Sequence, residues 1–126
     1  MKEEMDVYSV LDRIDPSEDA PWEVVGESHY DLAGLYKPKE GKGYCICDLL
    51  LVPEPDNPYD KNAIRVFHFD SETQNAKQVG YLKREDTSLY RRWMKRHGEG
   101  SSRLLTRGMI TGFEDRYGVR IFLPMK

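Results

Sequence analysis

The densest chemistry in the chain lies between Leu51 and Phe69, where Asn57-Pro58-Tyr59-Asp60-Lys61 sets an amide, an aromatic ring, a carboxylate and an ammonium side by side. An aromatic face stacks on any nucleobase, worth about 1–3 kcal/mol per base, and cations serve the phosphate backbone, so rings beside cations suit a single nucleic-acid strand. Tyr30 and Tyr81 are further candidate rings, and Lys83 and Arg84 further candidate cations. The same residue types have ordinary uses. A hydrophobic core also takes up tyrosines, and Asp60 and Asn62 suit turns in which a short side chain bonds nearby backbone amides.

Elements must hold this loop in place. Pro53, Pro55 and Pro58 each fix φ and remove an amide donor, so the connection is neither helix nor central strand. It joins two β-rich runs, 44–52 and 63–69, in which Arg65 and Phe67 face away from Ile64, Val66 and His68 by the period of two. Residues 22–25 read as the first strand, with Gly26 at a tight exit. Leu32, Leu35 and Tyr36 have helical spacing and predict a short helix within 27–36, before a loop over 37–43 broken by Pro38, Gly41 and Gly43. A polar hairpin loop over 70–77 returns into a strand over 78–82.

A second helix follows, capped by Glu85, Asp86 or Thr87 and stopped by Gly98, with Leu89, Tyr90, Trp93 and Met94 on one stripe. Its other face is Arg91, Arg92, Lys95 and Arg96, which this pattern points away from the proline loop. Strands over 104–111 and 119–123, joined through 112–118, complete about six strands and two short helices. The fold class is mainly β (α+β), a small antiparallel barrel.

Composition narrows the function. At 126 residues, 39% hydrophobic and 33% charged, the chain is expected to be one soluble domain. An acidic extension, 1–20, carries Val7, Val10, Leu11 and Ile14 on one face of a predicted docked helix ended by Pro16, and 21–126 is the single domain. No run approaches a membrane span, and residues 1–6 lack the features of a signal peptide, so a cytoplasmic protein is expected. Cys45 and Cys47 point to one face of a strand as reduced thiols. Net charge is −3, yet residues 77–107 hold nine basic side chains against three acids, a local surplus that can meet phosphates or simply solvate a helix. Cys45-x-Cys47 with His68 or His97 lacks the paired spacing of a structural zinc site. No acidic cluster has a spacing suited to magnesium, and no phosphate-cradling Gly-x-x-x-x-Gly-Lys-Ser/Thr loop occurs. A binding module without catalytic residues, metal or cofactor is expected.

Three ordered blocks sharpen this reading: Val24-Val25-Gly26-Glu27-Ser28-His29-Tyr30, then Glu54-Pro55-Asp56-Asn57-Pro58-Tyr59-Asp60-Lys61-Asn62-Ala63-Ile64-Arg65-Val66, then Val79-Gly80-Tyr81-Leu82-Lys83-Arg84-Glu85. In them, over roughly residues 22–123, the chain resembles the HIRAN domain family, and the middle block is long and specific. That family includes the N-terminal DNA-binding module of helicase-like repair ATPases and small free-standing bacterial proteins. The resemblance implies an OB-like or SH3-like barrel whose cleft grips the free 3′ end of single-stranded DNA in repair or processing.

By the same resemblance Asp60 accepts a hydrogen bond from the terminal 3′-hydroxyl, and Tyr59 and Tyr30 stack on a base or pack on a sugar. Asn57 bonds a phosphate or base edge, Arg84 meets a phosphate with Lys83 second, and Tyr81 completes the set. DNA-binding eukaryotic members resemble an Arg-Tyr-Tyr run where this chain has Ser28-His29-Tyr30, so His29 is left to stack or to bond a phosphate. The implied partners are single-stranded DNA and a helicase or nuclease, with no membrane. A second class of function is a non-catalytic accessory domain whose basic helix face meets an acidic partner protein.

Overall fold

The computed structural model describes residues 9–10, 21–97 and 103–123. Six strands, β2 (Pro21–Val25), β3 (Tyr44–Pro53), β4 (Ile64–Asp70), β5 (Asn75–Leu82), β6 (Leu104–Phe113) and β7 (Arg116–Phe122), hydrogen-bond in the order β6-β3-β4-β5-β2-β7. The ring closes because β7 also pairs with β6, and every pairing within it is antiparallel. Closure removes the unpaired edges that an open sheet of this size would expose.

The pleat decides which residues fill the ring. Along β3, Cys45, Cys47, Leu49 and Leu51 join Ile64, Val66, Ile110, Val119 and Ile121 in the core, whereas the intervening Tyr44 and Ile46 stay exposed. Arg65 and Phe67 share the other face of β4, the guanidinium lying 5.6 Å from the ring centroid. On that outer side Leu50, Val52 and Phe69 make a second, smaller buried cluster.

The barrel ends are plugged differently. At the end where β3 begins, Leu32, Leu35 and Tyr36 pack on the core, Tyr36 lying edge-on to Tyr117 with centroids 5.4 Å apart. The helix expected within 27–36 is instead a 3-10 turn, Glu27–His29, followed by one turn in which the Leu35 and Tyr36 amides both bond the Leu32 carbonyl. One turn already brings all three apolar side chains onto the barrel, and Gly34 and Pro38 disfavour a longer helix. At the other end α1 (Thr87–His97) buries Tyr90 and Met94 in the core, with Trp93 packed beside them. A 3-10 turn, Arg84–Asp86, leads into it, and the Thr87 Oγ1 donates back to the Arg84 carbonyl, which ties turn to helix without being the N-cap bond expected of Glu85, Asp86 or Thr87. The predicted stop at Gly98 lies outside the described residues.

Both hairpins are tighter than their composition suggests. Asp70 Oδ1 accepts the Glu72 and Thr73 amides and Gln74 takes φ 60°, so β5 starts at Asn75 rather than at 78. Glu114 at φ 56° likewise lets Phe113 pair with Arg116, and the expected 112–118 connection is mostly ladder. Most of the predicted N-terminal helix lies outside the described residues. Its Ser9 and Val10 form a short strand, β1, parallel to Leu104 and Leu105, so Val10 is extended and not helical. The physical reason is an available edge: β7 pairs with β6 only from Arg107 onward, and the preceding backbone groups of β6 need partners.

Gly80 fixes how closely β2 and β5 approach. Its φ is 150°, and an added Cβ would stand 2.5 Å from the Val25 carbonyl oxygen and 2.6 Å from Val24 Cγ1. Gly80→Ala should therefore lower stability by about 1–3 kcal/mol or more, since backbone stands in the way. Its urea unfolding midpoint should fall with the slope unchanged.

Candidate nucleic-acid interface

With three prolines in six residues, the connection from β3 to β4 cannot hold itself by backbone ladder, and side chains take over. Asn57 is the hub: its Oδ1 accepts the Tyr59 amide at 2.8 Å and the Asp60 amide at 2.9 Å, while its Nδ2 donates to Glu54 Oε1 at 2.6 Å. Asp60 repeats the device one step on, its Oδ1 accepting the Asn62 amide at 2.9 Å. Backbone bonds from Glu54 N to Ala63 O and from Ala63 N to Asp60 O close the loop's base. These are the side-chain-to-backbone turns that short polar residues favour.

Glu54 ties the loop to the barrel. Its Oε1 also accepts the Tyr81 hydroxyl at 2.9 Å, and its Oε2 lies 3.8 Å from Arg65 Nε. Arg65 in turn donates through Nη2 to the Pro53 carbonyl at 3.2 Å. Burial pushes the Tyr81 phenol above its ordinary range, a bond with Gln78 opposes this, and Glu54 reinforces it, so the phenol stays a donor. Tyr30, half-buried, lies close enough to act electrostatically on the same phenol.

These contacts shape an open groove of about 730 Å³ lined by Glu54, Asn57, Tyr59, Asp60, Tyr81 and Arg84, among others. The Tyr59 ring projects from it at 90% exposure, which leaves both faces free for a stacking partner. Asp60, at 22% side-chain exposure, sits lower, with Oδ2 3.9 Å from Nε of the well-exposed Arg84. That pair is weak, because exposed charges are screened, so each partner is available to a ligand.

Of the eight residues that the sequence proposes, the groove thus gathers Asn57, Tyr59, Asp60, Tyr81 and Arg84, with Tyr30 beside it. His29 is exposed at the end of the 3-10 turn and does not line the groove. Lys83 does not line it either, lying between Glu23 at 3.4 Å and Glu85 at 3.5 Å; Glu23, then Glu85, hold its ammonium protonated to higher pH than usual. Arg84 has one distant carboxylate and is the freer of the two cations.

Two residues gain roles that sequence reasoning does not give them. Glu54 is the anchor just described; its position between Pro53 and Pro55 at a strand end is the only signal. Arg91 is the other. The stripe of α1 was expected to turn all its cations away from the loop, but Arg91 Nη1 donates to Asn62 Oδ1 at 2.9 Å. The burial of Tyr90 and Met94 rolls the helix so that its Arg91 flank meets the loop.

Among the described residues no cluster of three or more His, Cys, Asp or Glu is placed to hold a metal ion. Burial first, then Cys45 and Asp48, push the Cys47 thiol up to about 12, so it is not a thiolate at neutral pH. Among these residues no helix is long and apolar enough to cross a membrane.

Glu54→Ala removes the acceptor of Asn57 and Tyr81 and the carboxylate beside Arg65. It should cost about 1–3 kcal/mol in denaturant unfolding, and Glu54→Gln, which keeps the shared acceptor, should cost less. The stability that Tyr81 contributes has a sign in pH. With a folded pKa above the ordinary value of 10.0, it is complete below that pH and is lost as pH rises through the folded pKa. Unfolding midpoints measured across that range should drop less in Tyr81→Phe than in the parent.

No curated protein matches the chain significantly, and no solved structure does. A family comparison does: residues 23–112 match the HIRAN domain, a stretch that takes in all three sequence blocks, the whole groove and α1. HIRAN domains are nucleic-acid-binding modules that are not catalytic by themselves. Spanning well over half of the sequence, the match shows that this chain belongs to the HIRAN domain family.

Proposed function

We propose that this protein binds single-stranded DNA at its free 3′-hydroxyl end, through the groove beside Tyr59, in DNA repair or processing. The domain that does so is taken as residues 21–126, with 1–20 as an acidic extension. The observation that carries the reading is the pairing of an almost fully exposed ring, Tyr59, with a carboxylate, Asp60, that keeps one oxygen free of backbone bonds. The terminal base stacks on Tyr59, and its 3′-hydroxyl donates to Asp60 Oδ2. Arg84 takes the phosphate on the 5′ side of that nucleotide, exchanging a screened carboxylate 3.9 Å away for a phosphate oxygen. Asn57 keeps one N–H beyond its loop bonds for a base edge, and Tyr30 and Tyr81 form the wall behind the sugar. His29 and Lys83, set off from the groove, serve at most as outer contacts.

A carboxylate repels DNA everywhere except where a hydroxyl can donate to it, and this sets the sign of the test. Asp60→Ala should weaken binding of a strand with a 3′-hydroxyl by about 1.5–3 kcal/mol. Asp60→Asn, which retains an acceptor for the Asn62 amide, should move the same way by less. Neither change should weaken a 3′-phosphorylated strand. Tyr59→Ala should weaken both strands, read by fluorescence titration at fixed salt. Equal affinity of the parent protein for 3′-hydroxyl and 3′-phosphate ends would reject end recognition.

A further inference from the structure

Four cations and no acid occupy α1, and the helix sets them in two pairs. At 3.6 residues per turn, Arg91 and Lys95 lie about 40° apart and about 6 Å along the axis, on one flank of the buried Tyr90 and Met94 side. Arg92 and Arg96 form a second pair farther round, on the face turned away from the core, the opposite flank being taken by Trp93. All four are exposed. The first pair is tied to the proline loop, because Arg91 Nη1 donates to Asn62 Oδ1, and the Asn62 amide is itself bonded to Asp60. Arg84, 3.9 Å from Asp60, and Arg91 are thus joined through the loop, and Lys95 follows Arg91 one turn on; Glu85 and Asp86 of the 3-10 turn precede the helix, and Glu85 lies 3.5 Å from Lys83.

We infer that the DNA strand whose end sits beside Tyr59 runs on in the 5′ direction along the Arg91–Lys95 flank of α1, these two side chains binding its next phosphates. The inference rests on the proposed reading of the groove and adds to it a track, a polarity and a minimum length of strand. Charge complementarity and continuity with the groove select a polynucleotide backbone here. A polyanion without bases would use the same cations but would gain nothing from Tyr59.

The test compares oligothymidylates of three and twelve nucleotides with free 3′-hydroxyl ends, by anisotropy competition across a salt series. Arg91→Gln/Lys95→Gln should lower affinity for the twelve-mer roughly tenfold at low salt and reduce its salt slope by about 0.7 per lost contact. It should leave the three-mer almost unchanged. Arg91→Lys/Lys95→Arg keeps both charges while replacing the Asn62 donor, and should retain most of the parent affinity. Arg92→Gln/Arg96→Gln, with the same loss of net charge, should have less than a third of the effect on the slope.

If the two neutralised pairs weaken the twelve-mer equally, the effect is net charge, and the track is wrong. If twelve-mer binding depends on Tyr59 and Asp60 but not on Arg91 and Lys95, the groove reading stands and the track fails. If Tyr59→Ala leaves twelve-mer binding intact while the Arg91–Lys95 flank governs it, the groove reading fails, and with it a track that begins there. No binding of the twelve-mer by the parent protein overturns both.

Discussion

The Asn57 side chain holds in place everything that the groove offers. Three prolines deprive the β3–β4 connection of backbone donors, and one amide group answers with three bonds, two inward to the loop's own N–H groups and one to Glu54. A loop so tied has little conformational freedom left to lose. That matters because association must offset every degree of freedom that it freezes, and a ring carried on an ordered backbone binds at lower entropic cost than one on a mobile loop. The exposure of Tyr59 is thus consistent with rigidity: the ring is open to solvent while its backbone amide is held.

Glu54 carries this order into the barrel. Tyr81 on β5, Arg65 on β4 and Asn57 in the loop all converge on one carboxylate at the end of β3. Three neighbouring strands are therefore clamped at the rim where the groove opens. Gly80, next to Tyr81, lets β2 cross close behind, which brings the exit of β2 and Tyr30 toward the same rim. The barrel closure and the groove are two consequences of the same short stretch of β5.

Much of this was legible in the sequence, and what was not has identifiable causes. Strands β3 and β4 follow from their β-rich runs, although Leu49, Leu50, Leu51 and Val52 are buried on both faces of β3 and not in alternation, and α1 follows from its stripe. The region 27–36 misled because Leu32, Leu35 and Tyr36 have the spacing of a helix, yet a single turn brings all three to the barrel mouth. The early start of β5 was hidden by Asn75, Ala76 and Lys77, a triplet without strand-forming residue types that pairs through backbone groups. In the site, Tyr59 and Asp60 stand out by type and by their place among prolines. The bond from Arg91 to Asn62 depends on how α1 is rolled against the core, a tertiary quantity that no local pattern contains.

The charge distribution gives the remaining constraint. The chain is acidic overall, at −3, so a long-range field does not draw polyanions to it, and attraction must come from cations within about 8–10 Å of the bound phosphate. Cations of that kind differ in availability. Lys83 lies between two carboxylates, Glu23 and Glu85, whereas Arg84 and Arg107 each face one, at 3.9 Å and 3.8 Å, and α1 has no acid of its own. On the proposed reading the cations that serve a strand are those nearest the groove, Arg84 at its rim and those of the helix beside it. Glu54 and Asp56 also line the groove, Glu54 being engaged by Asn57, Tyr81 and Arg65; on the proposed reading Asp60 is the carboxylate beside Tyr59, and a strand continuing past that ring would meet it with a phosphate where an ending strand offers a hydroxyl. The discrimination between an end and an interior then comes from the sign of a single side chain rather than from the shape of the groove.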